Sequence, residues 1–195
     1  MSAELSKNTK KSYTTQEIVL LAVLGVVFGI LNVVLGQLPQ WAGAVGGCLF
    51  SAAVGGFVQI SQTLGGYIVR RPGAATIVML INCAAQFLAG NPTGAVLFLF
   101  GLAQGVPVDL VYACRGYGKK PIGLWTMLIA GGMGNLGCQL LFPLIFEWGY
   151  SSIEYILSLP CAFIGGAIEG GLVAYILAKA LDRTGLIQGI RKNQT

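Results

Sequence analysis

From Ile18 to Val69 the chain runs for 52 residues without an aspartate, glutamate, lysine or arginine. Soluble domains carry about 25% charged residues, so a run of that length belongs in a bilayer. One helix crosses the ~30 Å hydrocarbon layer in about 20 residues, and the run therefore holds two crossings, with Gly36-Gln37-Leu38-Pro39-Gln40-Trp41 as the turn between them. Pro72 to Val108 gives 37 more uncharged residues, divided at Gly90-Asn91-Pro92, because proline removes a donor and restrains the residue before it. Pro121 to Phe146 supplies a fifth crossing and Tyr155 to Leu181 a sixth. The expected fold is an all-α integral membrane protein. Residues 1–17 precede its six-helix domain, 18–181, and residues 182–195 follow it as a tail.

Basic residues are retained on the cytoplasmic side during insertion, and here they alternate with the connections. Lys7, Lys10 and Lys11 precede the first helix, and Arg70 and Arg71 separate the second from the third. Arg115, Lys119 and Lys120 separate the fourth from the fifth, and Lys179, Arg183, Arg191 and Lys192 come at the end. Both termini are thus expected in the cytoplasm, in a multi-pass cell-membrane protein. The net charge of +5 reads as topology and contact with anionic lipid, not as nucleic-acid binding. The first apolar run is longer than a signal-peptide core and lacks an A-x-A-like site, so it is expected to be retained.

Several chemistries find no support. There is no histidine, and the five cysteines are odd in number and lack a CxxC pair, which argues against a disulfide framework, a zinc site or a bound cofactor. No nucleophile and base pair suggests an enzyme. No Walker A pattern occurs, so ATP-driven transport would need hydrolysis on another chain.

Small residues mark close helix approach, the main packing device in lipid. Ala162, Gly166, Gly170, Ala174 and Ala178 recur every fourth residue, as do Ala130, Gly134 and Cys138. Ala22, Gly25 and Gly29 line one face of the first helix. Each stripe serves either internal packing or docking of a partner.

Polar side chains within the spans must face partners or a cavity, since an uncompensated polar group in hydrocarbon costs several kcal/mol. Asn82 and Gln86 share one helical face, as do Asn135 and Gln139. Asn32, Gln104 and Glu169 fall at compatible depths, consistent with one polar pocket open to the outside or with amides that only bridge helices. Glu169 is the sharpest signal, because a carboxylate at mid-bilayer is a functional hypothesis by default. Asp109 is expected to pair with Arg115. Trp41 and Trp148 fall at the outer interface, where aromatic belts alone would place them and where a flat ligand would stack.

Phe87-Leu88-Ala89-Gly90-Asn91-Pro92-Thr93-Gly94, then Gly101-Leu102-Ala103-Gln104-Gly105 and Asp109-Leu110-Val111-Tyr112-Ala113, with Ala180-Leu181 and Thr184-Gly185, resemble the substrate-binding S component of an energy-coupling factor (ECF) transporter. The likeness is to the branch associated with thiamine or its hydroxymethylpyrimidine precursor. It implies a vitamin captured from outside and delivered through a T component driven by two cytoplasmic ATPases. In that reading Asn82, Gln86, Asn135 and Gln139 orient the pyrimidine, Trp41 closes over it, Glu169 balances a thiazolium cation, and Gln104 and Trp148 are further substrate-binding candidates. Ala22, Gly25 and Gly29 would dock the T component. The competing readings are a proton-coupled secondary transporter and a membrane assembly protein.

Overall fold

A computed structural model of the chain describes residues 13–118, 122–145 and 151–185. It contains eight helices: α1 (Thr15–Leu35), α2 (Leu38–Val54), α3 (Ile60–Val69), α4 (Ala74–Leu88), α5 (Leu97–Cys114), α6 (Leu124–Ile145), α7 (Ser152–Gly165) and α8 (Val173–Arg183). They form six rods. A 3₁₀ segment, Gly55–Gln59, joins α2 to α3, and a π-helical segment, Gly166–Leu172, joins α7 to α8. Four described stretches are long and apolar enough to cross a membrane: Thr15–Leu35, Leu38–Val69, Gly94–Cys114 and Ser152–Arg183.

Local chemistry explains the ends. Thr14 caps α1, accepting from the Glu17 N–H while the Glu17 carboxylate accepts from the Thr14 N–H, a reciprocal box that satisfies donors a helix start leaves unpaired. The first connection is shorter than expected. Only Gly36 and Gln37 turn, and Leu38 to Trp41 already belong to α2, because Pro39 lies in the first helical turn, where a missing N–H breaks no bond.

The starts of α1 and α4 meet the ends of α3, α5 and α8 at one end of the bundle. Buried Glu17 pairs with Arg71 at 2.8 Å, Tyr13 donates to the Pro72 carbonyl at 2.7 Å, and Tyr67 donates to Asp182 at 2.9 Å. Asp109 corrects an expectation. Its carboxylate accepts from the N–H groups of Ala75 (3.1 Å) and Thr76 (2.9 Å) instead of pairing with Arg115. Gly73 begins α4 without a side chain to cap it, and a carboxylate from α5 takes that place.

The two interrupted rods meet each other at backbone contact, and the α7–α8 rod meets α6 in the same way. A Cβ at Gly165 would overlap the carbonyl oxygen of Ala53, and one at Gly131 would overlap that of Gly166. Ala162, Ala174 and Ala178 have no exposed surface, so the stripe on the last rod packs internally. The first-helix stripe behaves likewise. A Cβ at Gly25 would come within 2.6 Å of Ile81 and one at Gly29 within 2.6 Å of Ala85. Both glycines therefore face α4, and the surface of α1 is made by Ile18, Val23, Val27, Ile30 and Val34. Gly25 and Gly29 are thus buried in this contact, while Ala22, the third residue of the expected docking face, is only half-buried.

Candidate functional site

A cavity of about 130 Å³ lies between α2, α4, α5 and α6, near the ~150 Å³ that accommodates one benzene molecule. Gly36, Gln37, Pro39 and Gln40 form its edge on the first connection, and Asn91 and Thr93 form it on the third. Phe100 and Phe142 line it with ring centroids 5.6 Å apart and planes inclined at 48°. Met79, Cys83, Cys138 and Cys48 add polarisable sulfur.

Four of the expected residues reach this space: Gln86, Gln104, Asn135 and Gln139. Each is fixed by a partner. Gln86 donates to Asn82 Oδ1 at 2.7 Å and accepts from Asn91 Nδ2 at 2.9 Å. Gln104 Oε1 accepts from Gln59 Nε2 at 3.1 Å, and Gln59 in turn accepts from Gln62. Asn135 Nδ2 donates to the carbonyls of Ala52 (3.1 Å) and Ala162 (2.8 Å), and Gln139 Nε2 donates to Ser158 at 2.9 Å. Gly55 keeps Asn135 open to the cavity, since a Cβ there would lie 2.9 Å from Asn135 Oδ1.

Other expected residues lie elsewhere. Asn82 is fully buried behind Gln86, bonded to Asn32 and Ser61. It orients a lining residue without lining the cavity. Trp41 is 59% exposed on the outside of α2, and Trp148 lies outside the described residues.

Glu169 is the largest correction. Its carboxylate accepts from the N–H of Gly56 at 2.9 Å and from that of Phe57, at the break between α2 and α3, and it does not border the cavity. In a regular helix the Gly56 N–H would bond the Ala52 carbonyl. Here Glu169 takes the donor and Asn135 takes the acceptor. Neighbouring rods thereby satisfy both groups, as an interrupted helix in lipid requires.

Gln59, Asn91, Ser51 and Cys48 border the cavity without having been expected there. The signal for Gln59 was present as Gln59-Ile60-Ser61-Gln62-Thr63, a polar cluster inside the uncharged run. Asn91 reads as turn chemistry, and it does make a turn, accepting from the Thr93 N–H at 3.0 Å. Its amide nitrogen meanwhile reaches Gln86. Among the described residues no group of three His, Cys, Asp or Glu side chains could hold a metal ion.

A family described as the permease component of an ABC-type cobalt transport system matches residues 16–137. YkoE of Bacillus subtilis (strain 168), named as a candidate HMP/thiamine permease, is 26% identical over 183 residues, covering 92% of this chain and 90% of its own length. A solved structure, the crystal structure of an S component of an ECF transporter, superposes with a TM-score of 0.83 at 23% identity, covering 94% of this chain and 92% of that one.

Proposed function

This chain belongs to the family of permease components of ABC-type cobalt transport systems, and from that premise we propose that it is the vitamin-binding S component of an ATP-driven ECF importer for thiamine or its hydroxymethylpyrimidine precursor. The single observation that carries this is the cavity. It is ring-sized, lined on one side by Phe100 and Phe142, and bordered by amides whose orientations are fixed by partners. An aminopyrimidine edge offers donors and acceptors side by side, which fixed amides can match, and a flat ring gains by stacking on aromatic faces.

The chain is a binding subunit rather than an enzyme. It crosses the cell membrane six times with both ends inside, an arrangement supported by Arg70, Arg71 and Arg115 following, and Arg183 closing, rods that end together. A T component and two cytoplasmic ATPases supply the energy. Glu169, the acid that suggested a proton-coupled carrier, is bonded to main-chain N–H groups away from the cavity. The cobalt in the family's description finds no ligand set among the neutral amides of the cavity, which suit hard or borderline divalent ions poorly without carboxylate or imidazole.

Titration calorimetry of the purified protein against thiamine, hydroxymethylpyrimidine and riboflavin tests the reading. Binding of either of the first two with a Kd on the order of nanomolar, and none of riboflavin, is the expected outcome. Absence of binding to both pyrimidines would overturn it.

A further inference from the structure

Glu169 is satisfied from one side only. Its carboxylate accepts from the N–H groups of Gly56 and Phe57, two of the roughly four hydrogen bonds a carboxylate can accept. Yet the side chain is only partly buried, and it does not border the cavity. It stands near the middle of the 32-residue stretch Ser152–Arg183, at a depth where hydrocarbon surrounds the bundle. We propose that Glu169 marks a docking seam for a membrane-spanning helix of a different protein, and that this helix brings a lysine or arginine to mid-membrane to pair with it. The proposal holds whatever the cavity binds.

Three observations converge. An ionisable group inside a membrane is stable facing the bundle interior, a water-filled cavity or a partner charge. Asn32, Gln59, Gln62, Asn82 and Asn135 are buried, and the partly exposed Gln139 borders the cavity. Glu169 is neither enclosed nor at the cavity, which leaves the partner charge. The cation, secondly, must come from another protein. The sequence has no lysine or arginine from Ile18 to Val69, from Pro72 to Cys114 or from Pro121 to Ala178, so neither this chain nor a second copy of it offers one at that depth. Lys179 lies ten residues further on, about 15 Å along a helix. The surface, finally, admits a helix. A Cβ at Gly56 would lie 2.5 Å from the Gly165 carbonyl oxygen, so the two interrupted rods touch through their main chains, and small residues at such a seam let a further backbone approach closely. Ile164 and Ile168 on the same rod are exposed. Covering apolar surface gains little in lipid, so the ion pair is what gives the seam its selectivity.

Photo-cross-linking of the full chain in its native cells tests this, with Ile168→benzoylphenylalanine as the probe and mass spectrometry to identify the attached segment. The expected adduct is a membrane-spanning segment of another protein that contains a lysine or arginine within its apolar run. Glu169→Gln, which keeps an acceptor for the main-chain donors, should reduce that adduct roughly tenfold or more while melting temperature and ligand affinity stay near those of the parent. Adducts to lipid alone, to a second copy of this chain or to a segment without a basic residue would overturn the proposal, as would an adduct that Glu169→Gln leaves unchanged. Should Glu169→Gln melt well below the parent, the composition of the attached segment decides by itself. None of these outcomes bears on the ligand reading, which calorimetry at the cavity tests separately.

Discussion

Replacing Glu169 by leucine removes the acceptor for two main-chain donors at the break between α2 and α3, the N–H groups of Gly56 and Phe57. Each donor left unsatisfied in a buried setting costs about 1–3 kcal/mol, so the variant should lose roughly 2–6 kcal/mol, a large part of the ~5–15 kcal/mol that holds a typical protein together. At roughly 2–4 °C per kcal/mol for a chain of this size, the melting temperature of the detergent-purified protein should fall by about 10 °C. Glutamine keeps an oxygen in place and loses only the charge assistance, so Glu169→Gln should melt within a few degrees of the parent and bind ligand as the parent does. Asn135→Leu should be coupled to Glu169→Leu in a double-mutant cycle, because the two side chains satisfy the two halves of one interrupted helical bond. Equal melting temperatures for the leucine and glutamine variants would refute the capping role, and weakened ligand binding by Glu169→Gln would return Glu169 to the site.

Gly29→Leu should lower both stability and binding, measured by melting and calorimetry, because even a Cβ would lie 2.6 Å from that of Ala85 and 2.7 Å from the Asn82 carbonyl; a variant that binds normally and fails only in transport would restore this face to docking. Gln104→Leu should weaken ligand binding at least tenfold, and leave Gln59 Nε2 without the partner it has at 3.1 Å; unchanged affinity would remove Gln104 from the site. Arg71→Ala should lower the melting temperature by removing the cation 2.8 Å from the buried carboxylate of Glu17, and the double variant Arg71→Ala, Glu17→Gln should recover part of the loss.

Helices were legible in the sequence because they depend on local properties. Uncharged length sets the number of apolar rods, and four-residue spacing puts Asn135 and Gln139 on one face. What crosses that face is not local. Glu169 was assigned to the pocket on its depth, which says nothing of direction around the helix, whereas it lies in the π-helical segment Gly166–Leu172 and reaches across to the Gly56 N–H. Gly25 and Gly29 had the spacing of a docking stripe, and only the position of α4 shows that the stripe is already covered. Gln59 was hidden for the opposite reason. It lay in a run read as one span, and the 3₁₀ segment beginning at Gly55 turns it toward Gln104.

The amides running from the cavity edge into the wall behind it also have a polarity. Asn91 donates to Gln86, Gln86 to Asn82 and Asn82 to Ser61, so three side chains point their nitrogens the same way. None can turn over alone without setting oxygen against oxygen or N–H against N–H. The direction begins at the main chain, because the Thr93 N–H holds the Asn91 oxygen and a backbone donor cannot become an acceptor. The site therefore has a fixed hydrogen-bonding hand, and a regioisomeric ring with donor and acceptor exchanged meets a wall that cannot rearrange to receive it.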